Sequence, residues 1–569
     1  MTLIIFLNII SMQPNETVFK GVVMMIKLLV DNKEVLKENP IVLEDLANEL
    51  GIEAYCATVD NRLRELTYQV SKDAEINFLD LTSVDTITLY SASLRYVIAM
   101  AIKNIYPDSR VIFNQSISRS IFCDIRNIGK INNSVLEKIK AEVDRIIAAD
   151  YPIRRVTVAK AEALEIYKNL GYEDKAEILA YRPEDTVHFY ACNGYLNYMF
   201  GYMVPSTRYL KAYKLRLYAP GIIIQTPRAE LGGIIPEFED APTFGQVLRQ
   251  ANHWGEICKG SYVAQMNKLI ETQKELEFIN LCETRHNDQL AELGLKIKND
   301  IENIRLIAIA GPSSSGKTTF TNRLRIELMA RGITPLMISI DDYYLSREAA
   351  PKDEDGKPDL EHLNALDIDL FNDQMFSLIN GEEVQLPIFN FQTGKREWGK
   401  VVQIDQNTPI LIEGIHALND DLTPSIPAHQ KFKIYIAPQA QLHLDDQNPI
   451  SITEIRLLRR LVRDKKFRNS PAEETLSMWP SVRRGEFRWI YKNQEGVNYV
   501  FNSELTYELC VLKKYALPML EAIDHESPYF VQANRLVKFL KYFKDIEDTW
   551  IPCNSILREF IGGSSFYRK

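Results

Sequence analysis

In the second half of the chain, short apolar runs alternate with amphipathic stretches. RLIAIA (305–310), PLMISI (335–340), PILIEG (409–414) and FKIYIAP (432–438) are strand-like, and TFTNRLRIELMARG (319–332) has helical spacing between the first two. Strands that alternate with helices predict a parallel sheet with helices on both faces, an α/β domain over residues 304–510. The front half is patterned differently. Residues 25–90 hold the strand-like runs IKLLV (26–30), ATVDNRL (57–63) and INFLDL (76–81), with one helical run, VLEDLANEL, after the first. They predict a small α+β module. Residues 91–240 open on a helix from Leu94 to Ile105 and continue with a polar helix, Asn133 to Ala149. The strand-like segments VHFYAC (187–192), LRLYA (215–219) and GIIIQTP (221–227) follow, and GGIIPEFEDAPTF (232–244) marks a boundary through its Gly and Pro residues. Residues 241–303 read as a connector whose last helix, about Thr284 to Asn303, carries Leu290, Leu293, Ile297 and Ile301 on one face. Residues 511–569 read as a helical tail.

Length and charge narrow the classes. The 569 residues suggest about three or four domains. Lys and Arg total 67 against 76 Asp and Glu, a formal charge of −9 that argues against broad binding to nucleic acid, so tRNA or another RNA is not an expected partner. The seven cysteines are odd in number, widely spaced and free of any CxxC, which fits free thiols in a reducing cytoplasm. Residues 1–11 are apolar but too short to span a bilayer, and residues 1–24 read as an extension with no folded role. A weak signal peptide is the rival reading. No other apolar stretch is long enough for a membrane span, so no membrane partner is expected.

The strongest chemical signal is Gly311-Pro312-Ser313-Ser314-Ser315-Gly316-Lys317-Thr318, which fits GxxxxGK[ST] and lies between a strand and a helix. Such a loop turns successive N–H groups inward as an anion nest, and the following helix N-terminus adds its dipole. Lys317 would reach the β- and γ-phosphates of a nucleotide, and Thr318 would ligate Mg²⁺. Asp341 and Asp342 end the strand PLMISI, on the side where ligands bind an open parallel sheet. Asp341 is the candidate to orient or deprotonate an acceptor hydroxyl; an N-cap role is the plainer alternative, and the two acids could divide these roles. Glu413 ends the strand TPILIE and could hold magnesium through water. Residues 456–468, RLLRRLVRDKKFR, place Arg456, Arg460 and Arg463 on one helical face, either as a clamp on a transferring phosphoryl group or as a solvated basic surface.

Taken with ISIDDYY, LEHLNALD, LPIFNF and ILIEGIHALN, these motifs resemble the uridine kinase/phosphoribulokinase family of P-loop kinases over about residues 304–510. The resemblance implies an ATP- and Mg²⁺-dependent kinase. It makes Asp341, Lys317 and Arg463 catalytic, with Gly311, Ser313 to Thr319, Arg460 and Arg468 on the nucleotide. It puts Asp341, Tyr344, Glu361, Phe389 and Arg396 at the acceptor, and Thr318 and Glu413 on the metal. Uridine-cytidine kinases carry a pattern like YDFxxHSR where this chain has Phe389-Asn390-Phe391-Gln392-Thr393-Gly394-Lys395-Arg396. The tyrosine and the pyrimidine-reading histidine are replaced by Phe389 and Gly394.

The front half resembles the N-terminal part of threonyl-tRNA synthetase: a TGS module at 25–90, then the editing domain at 91–240, carried by LRYVIAMAIKNIYPDSRV and GYMVPST. That family's editing residues fall on Ser93, Val97, Met199 and Met203, which cannot build a metal or water-activating site. The resemblance therefore implies an editing fold without its chemistry. The expected function is transfer of the γ-phosphoryl of ATP to the 5′-hydroxyl of a nucleoside. Two alternatives are a kinase of a sugar or pentose phosphate, for which Lys395 and Arg396 would supply charge, and an RNA-associated nucleotide switch.

Overall fold

The computed structural model describes residues 25–566 except 116, 347, 353–355, 357–358, 360, 391–392 and 406. The expected extension at 1–24 and the pair Phe391-Gln392 lie outside the described residues. The described chain divides after Leu79 into two compact units.

The first unit is a five-stranded sheet. Its centre is Ala74–Leu79, flanked by Cys56–Val59 and by Met25–Val30, which pairs parallel with it and antiparallel with Lys33–Glu38. Alternation explains the facing of Met25–Val30, since Ile26, Leu28 and Val30 are buried on one side. The run ATVDNRL, read as one strand, is two. Cys56–Val59 and Arg62–Glu65 pair antiparallel around Asp60 and Asn61, both left-handed at φ 47° and 56°. A two-residue hairpin turn needs positive φ at both positions, and Asp and Asn tolerate it.

The second unit covers the rest. Its front part opens on the helix Val84–Ile105, ten residues earlier than expected, because Leu89, Tyr90 and Thr86 extend the buried face upstream of Leu94. A four-stranded antiparallel sheet and a three-stranded one follow, the latter built from Arg154–Ala159, Thr186–Cys192 and Tyr195–Tyr198. The back part holds a five-stranded parallel sheet: β1 (Leu306–Ala310), β2 (Leu336–Ser339), β3 (Ile410–Glu413), β4 (Lys431–Ala437) and β5 (Tyr499–Asn502), in the order β2-β3-β1-β4-β5. The four expected strands are present. β5 was not foreseen.

Alternate residues of β1 feed different cores. Ile307 and Ile309 join one cluster, Leu306, Ala308 and Ala310 the other. The first cluster also takes Leu290, Leu293 and Ile297 from the helix Glu275–Asn299, and Leu557, Phe560 and Ile561 from the C-terminal segment. The connector helix and the tail are thus packed on one face of the sheet.

After β4, residues 443–450 run into the front part of the same unit. Phe113 N donates to the Asp446 carbonyl at 2.8 Å, Arg110 Nε meets Asp446 Oδ2 at 2.7 Å, and Phe200 N donates to Asn448 Oδ1 at 2.8 Å. Lys175 Nζ pairs with Asp445 Oδ1 at 2.7 Å with both side chains 1% exposed or less. Removing one partner of such a pair strands the other charge. Asp445→Asn should therefore cost about 3–5 kcal/mol, read as a lower urea midpoint in equilibrium unfolding; an unchanged midpoint would contradict the buried pairing.

Candidate active site

The site forms where β1, β2 and β3 end. The loop after β1 leads into helix α1 (Lys317–Ala330). Gly311 and Gly316 are required for different reasons. A Cβ on Gly311 would stand 2.0 Å from the Ile436 carbonyl, and Gly316 sits at φ 91°. Ser314 is also left-handed, at φ 58°, so the loop curls its amides inward. The hydroxyls of Ser314, Ser315 and Thr319 are buried and have no hydrogen-bond partner among the described residues. Such orphaned groups, beside inward amides and a lysine, suit the oxygens of a polyphosphate. Thr318, the next hydroxyl, is exposed.

Other groups of the chain hold the loop. Lys317 Nζ donates to the carbonyls of Gly311 and Pro312 at 2.9 and 3.3 Å. Ser313 N donates to Glu486 Oε1 at 3.2 Å, and Thr319 N donates to Glu559 Oε2 at 2.9 Å. Sequence reasoning missed both glutamates, because each is far along the chain from the loop and no local motif marks it.

Asp341 lies in the 3₁₀ turn Ile340–Tyr343 that ends β2, and Glu413 is the last residue of β3, in register with Ser339 and Ile309. Burial pushes Asp341 up, with Lys317 opposing and Asp342 adding. Burial likewise pushes Glu413 up to about 7, with Asp341 adding and Lys317 opposing. Burial pulls Lys317 down, against the pull of Glu413, Asp341 and Glu559. The three groups therefore share one electrostatic neighbourhood. Asp342 is occupied otherwise: its Oδ1 accepts from Phe389 N at 3.1 Å and so fixes the hairpin Val384–Asn390/Lys395–Val402.

On the acceptor side Tyr344 stacks edge-on against Phe389 with ring centroids 5.7 Å apart. Glu361 is pushed up to about 7 by burial, with Arg460 opposing first, then Asp341 adding. Its carbonyl is held by His416 Nε2 at 3.0 Å. Arg396 is bound to Asp367 at 2.9 Å and reaches the carbonyls of Tyr343 and Tyr344 at 3.4 Å, so it braces the turn carrying Asp341. The Glu361 shift has a sign. A carboxyl raised by the fold stabilises fully below its unfolded value near 4.3, and that contribution is lost as pH rises through about 7. Between pH 5 and 8 the ligand-free Tm should fall less in Glu361→Gln than in the parent chain, by about 2 °C or more in differential scanning calorimetry. An equal fall in both would contradict the buried carboxyl.

Helix α2 (Ile452–Arg468) carries the basic run, and its arginines divide. Arg456 and Arg459 are fully buried and paired with Glu486 and Glu508, while also reaching loop carbonyls of Ser313, Ser314 and Ser315. Arg456 and Arg460 both meet the loop at Ser313, but Arg456 is committed to the buried Glu486 as well. Arg460, Arg463 and Arg468 gather instead on the buried Asp464, and Arg460 Nη1 also donates to Ser313 Oγ at 2.7 Å.

Ser93, Val97, Met199 and Met203 of the front part are all buried at 2% exposure or less. Ser93 Oγ is used up between the Leu89 carbonyl and Val204 N. Among the described residues no group of three or more His, Cys, Asp or Glu stands together as a metal site, and no helix is long and apolar enough to cross a membrane.

Residues 306–495 match the Phosphoribulokinase / Uridine kinase family and form a domain of that family, a P-loop kinase domain. The N-terminal region is similar to threonine–tRNA ligases. It is 28% identical over 180 residues to that of Fusobacterium nucleatum, covering 31% of this chain and 29% of the ligase. It is 29% identical over 197 residues to that of Carboxydothermus hydrogenoformans, covering 34% and 31%. The chain thus spans less than a third of the length of these relatives. A solved structure described as a possible uridine kinase from Bacillus stearothermophilus aligns with 36% of this chain and all of its own, at 16% identity and a TM-score of 0.24.

Proposed function

We propose that the chain transfers the γ-phosphoryl group of ATP to a hydroxyl of a small molecule, with the 5′-hydroxyl of a nucleoside as the acceptor. The observation that carries this reading is the convergence of Lys317, Asp341 and Glu413 at the ends of three adjacent parallel strands and the loop between them. Phosphoryl transfer needs little covalent work from the protein; it needs positioned charge.

Lys317 would leave its own loop carbonyls and take the β- and γ-phosphate oxygens. The amides of the loop and the hydroxyls of Ser314, Ser315 and Thr319 would satisfy the rest. Asp341 would accept the acceptor's proton or hold its O–H in line, a role served by a pKa above the ordinary carboxylate range. Arg460, Arg463 and Arg468 would turn from Asp464 towards charge developing on the transferred group. Thr318 and Glu413 would hold Mg²⁺, which supplies charge neutralisation on the phosphate oxygens when bound. Tyr344, Phe389 and Glu361 would bound the acceptor, with apolar contact on one side and an acid for hydroxyls on the other.

Phe389 and Gly394 stand where a pyrimidine would be read by hydrogen bonds, and an apolar wall discriminates weakly. The purified chain should therefore phosphorylate several nucleosides with kcat/KM values within about 100-fold of one another. An ATP-consumption screen across nucleosides and sugar phosphates tests this. Turnover confined to sugar phosphates would move the acceptor class, and turnover with none would remove the kinase reading.

A further inference from the structure

The nucleotide loop is closed by the chain's own C-terminal segment. Helix α1 begins with amides that have no partner inside the helix, and a polyphosphate is their natural ligand. Here the Thr319 amide is taken at 2.9 Å by Glu559, which lies 240 residues further on. The contact is built into the segment. Phe560 and Ile561 on one side of Glu559 and Ile556 and Leu557 on the other are buried in the core below the parallel sheet. Arg558 ties back to the carbonyls of Asp548 and Ile551, which fixes the turn that aims Glu559. Ile556 closes the other side of the loop: a Cβ on Gly316 would stand 2.4 Å from Ile556 Cγ2. Phe560 lies under Arg459, whose guanidinium reaches the carbonyls of Ser314 and Ser315.

Lys317 feels the charge of Glu559 after those of Glu413 and Asp341, with Arg463 opposing them. An incoming polyphosphate would meet the Glu559 carboxylate on the first-turn amide of α1.

We propose that Glu559 is an autoinhibitory stand-in for a nucleotide phosphate: its carboxylate competes with the polyphosphate for the Thr319 amide and must swing out before the nucleotide seats. The inference rests on the reading of this loop as the nucleotide site. It assigns the C-terminal segment the task of raising the nucleotide concentration at which the site fills. Only the Glu559 side chain, which is partly exposed, has to move; the buried neighbours stay in the core.

The test is calorimetric titration of ATP with Mg²⁺ into the full chain and into Glu559→Gln, Glu559→Ala and Lys317→Ala. Glu559→Ala should bind ATP roughly tenfold more tightly than the parent, the size expected for removing a charged cap from a helix N-terminus. Glu559→Gln, which keeps a neutral acceptor, should fall between them. Equal or weaker binding by both Glu559 variants, with Lys317→Ala still losing ATP, overturns the inference and leaves the nucleotide site standing. Absence of ATP binding in the parent and every variant overturns both.

Discussion

Lys317→Ala should lower the rate of phosphoryl transfer by about 10³-fold or more, with ATP binding weakened as well. The reasoning is local. The ammonium already sits inside the loop, 2.9 Å from the Gly311 carbonyl, held there partly desolvated between Asp341 and Glu413. A charge that stands where negative charge will concentrate, already partly withdrawn from water, is worth more than the same charge in solvent. Alanine removes the only group in the loop able to follow the γ-phosphate as it moves. Steady-state assay with ATP and the best nucleoside checks this; a Lys317→Ala enzyme within tenfold of the parent would mean that the loop does not hold the reacting phosphates.

Asp341→Asn should cost about 10²–10⁴ in kcat with little change in the affinity for ATP. The amide keeps the size of the carboxylate and can still touch an acceptor hydroxyl, but it cannot take its proton. The neighbouring Asp342 cannot substitute, because it is fixed to Phe389 N at 3.1 Å and faces the hairpin. Asp342→Asn should consequently disturb the acceptor side and raise its KM while leaving kcat near the parental value. If the two variants showed equal losses in kcat, the division of roles between the adjacent acids would be wrong.

What was legible in the sequence is what is encoded locally. The anion loop announces itself because glycines, serines and a lysine at fixed spacing fall between a strand and a helix, and Asp341 and Glu413 follow because strand ends in a parallel sheet share one rim. The distant residues that hold the loop were not legible. Glu486 and Glu559 reach it from 173 and 240 residues away, and nothing in their own neighbourhoods distinguishes them from surface acids. The basic helix shows the same limit. Spacing puts Arg456, Arg460 and Arg463 on one face, but that Arg456 meets a buried acid depends on Glu486, which lies outside the helix, whereas Asp464 belongs to the same helix. The hairpin at Asp60-Asn61 was hidden for another reason, since a two-residue turn leaves the strand-like runs on either side nearly continuous. The packing of the front part around residues 443–450 depends on Lys175 and Arg110 pairing with Asp445 and Asp446 across the fold, again without local signature.

The most direct measurement of the central claim is a single-turnover experiment with ATP carrying a labelled γ-phosphate, excess enzyme, Mg²⁺ and a panel of nucleosides and sugar phosphates. The account predicts label on an acceptor hydroxyl with the parent chain, and none on the same timescale with Asp341→Asn although that variant still binds ATP. Label transfer at parental rate by Asp341→Asn, or no labelled acceptor from a parent chain that binds ATP, would contradict it.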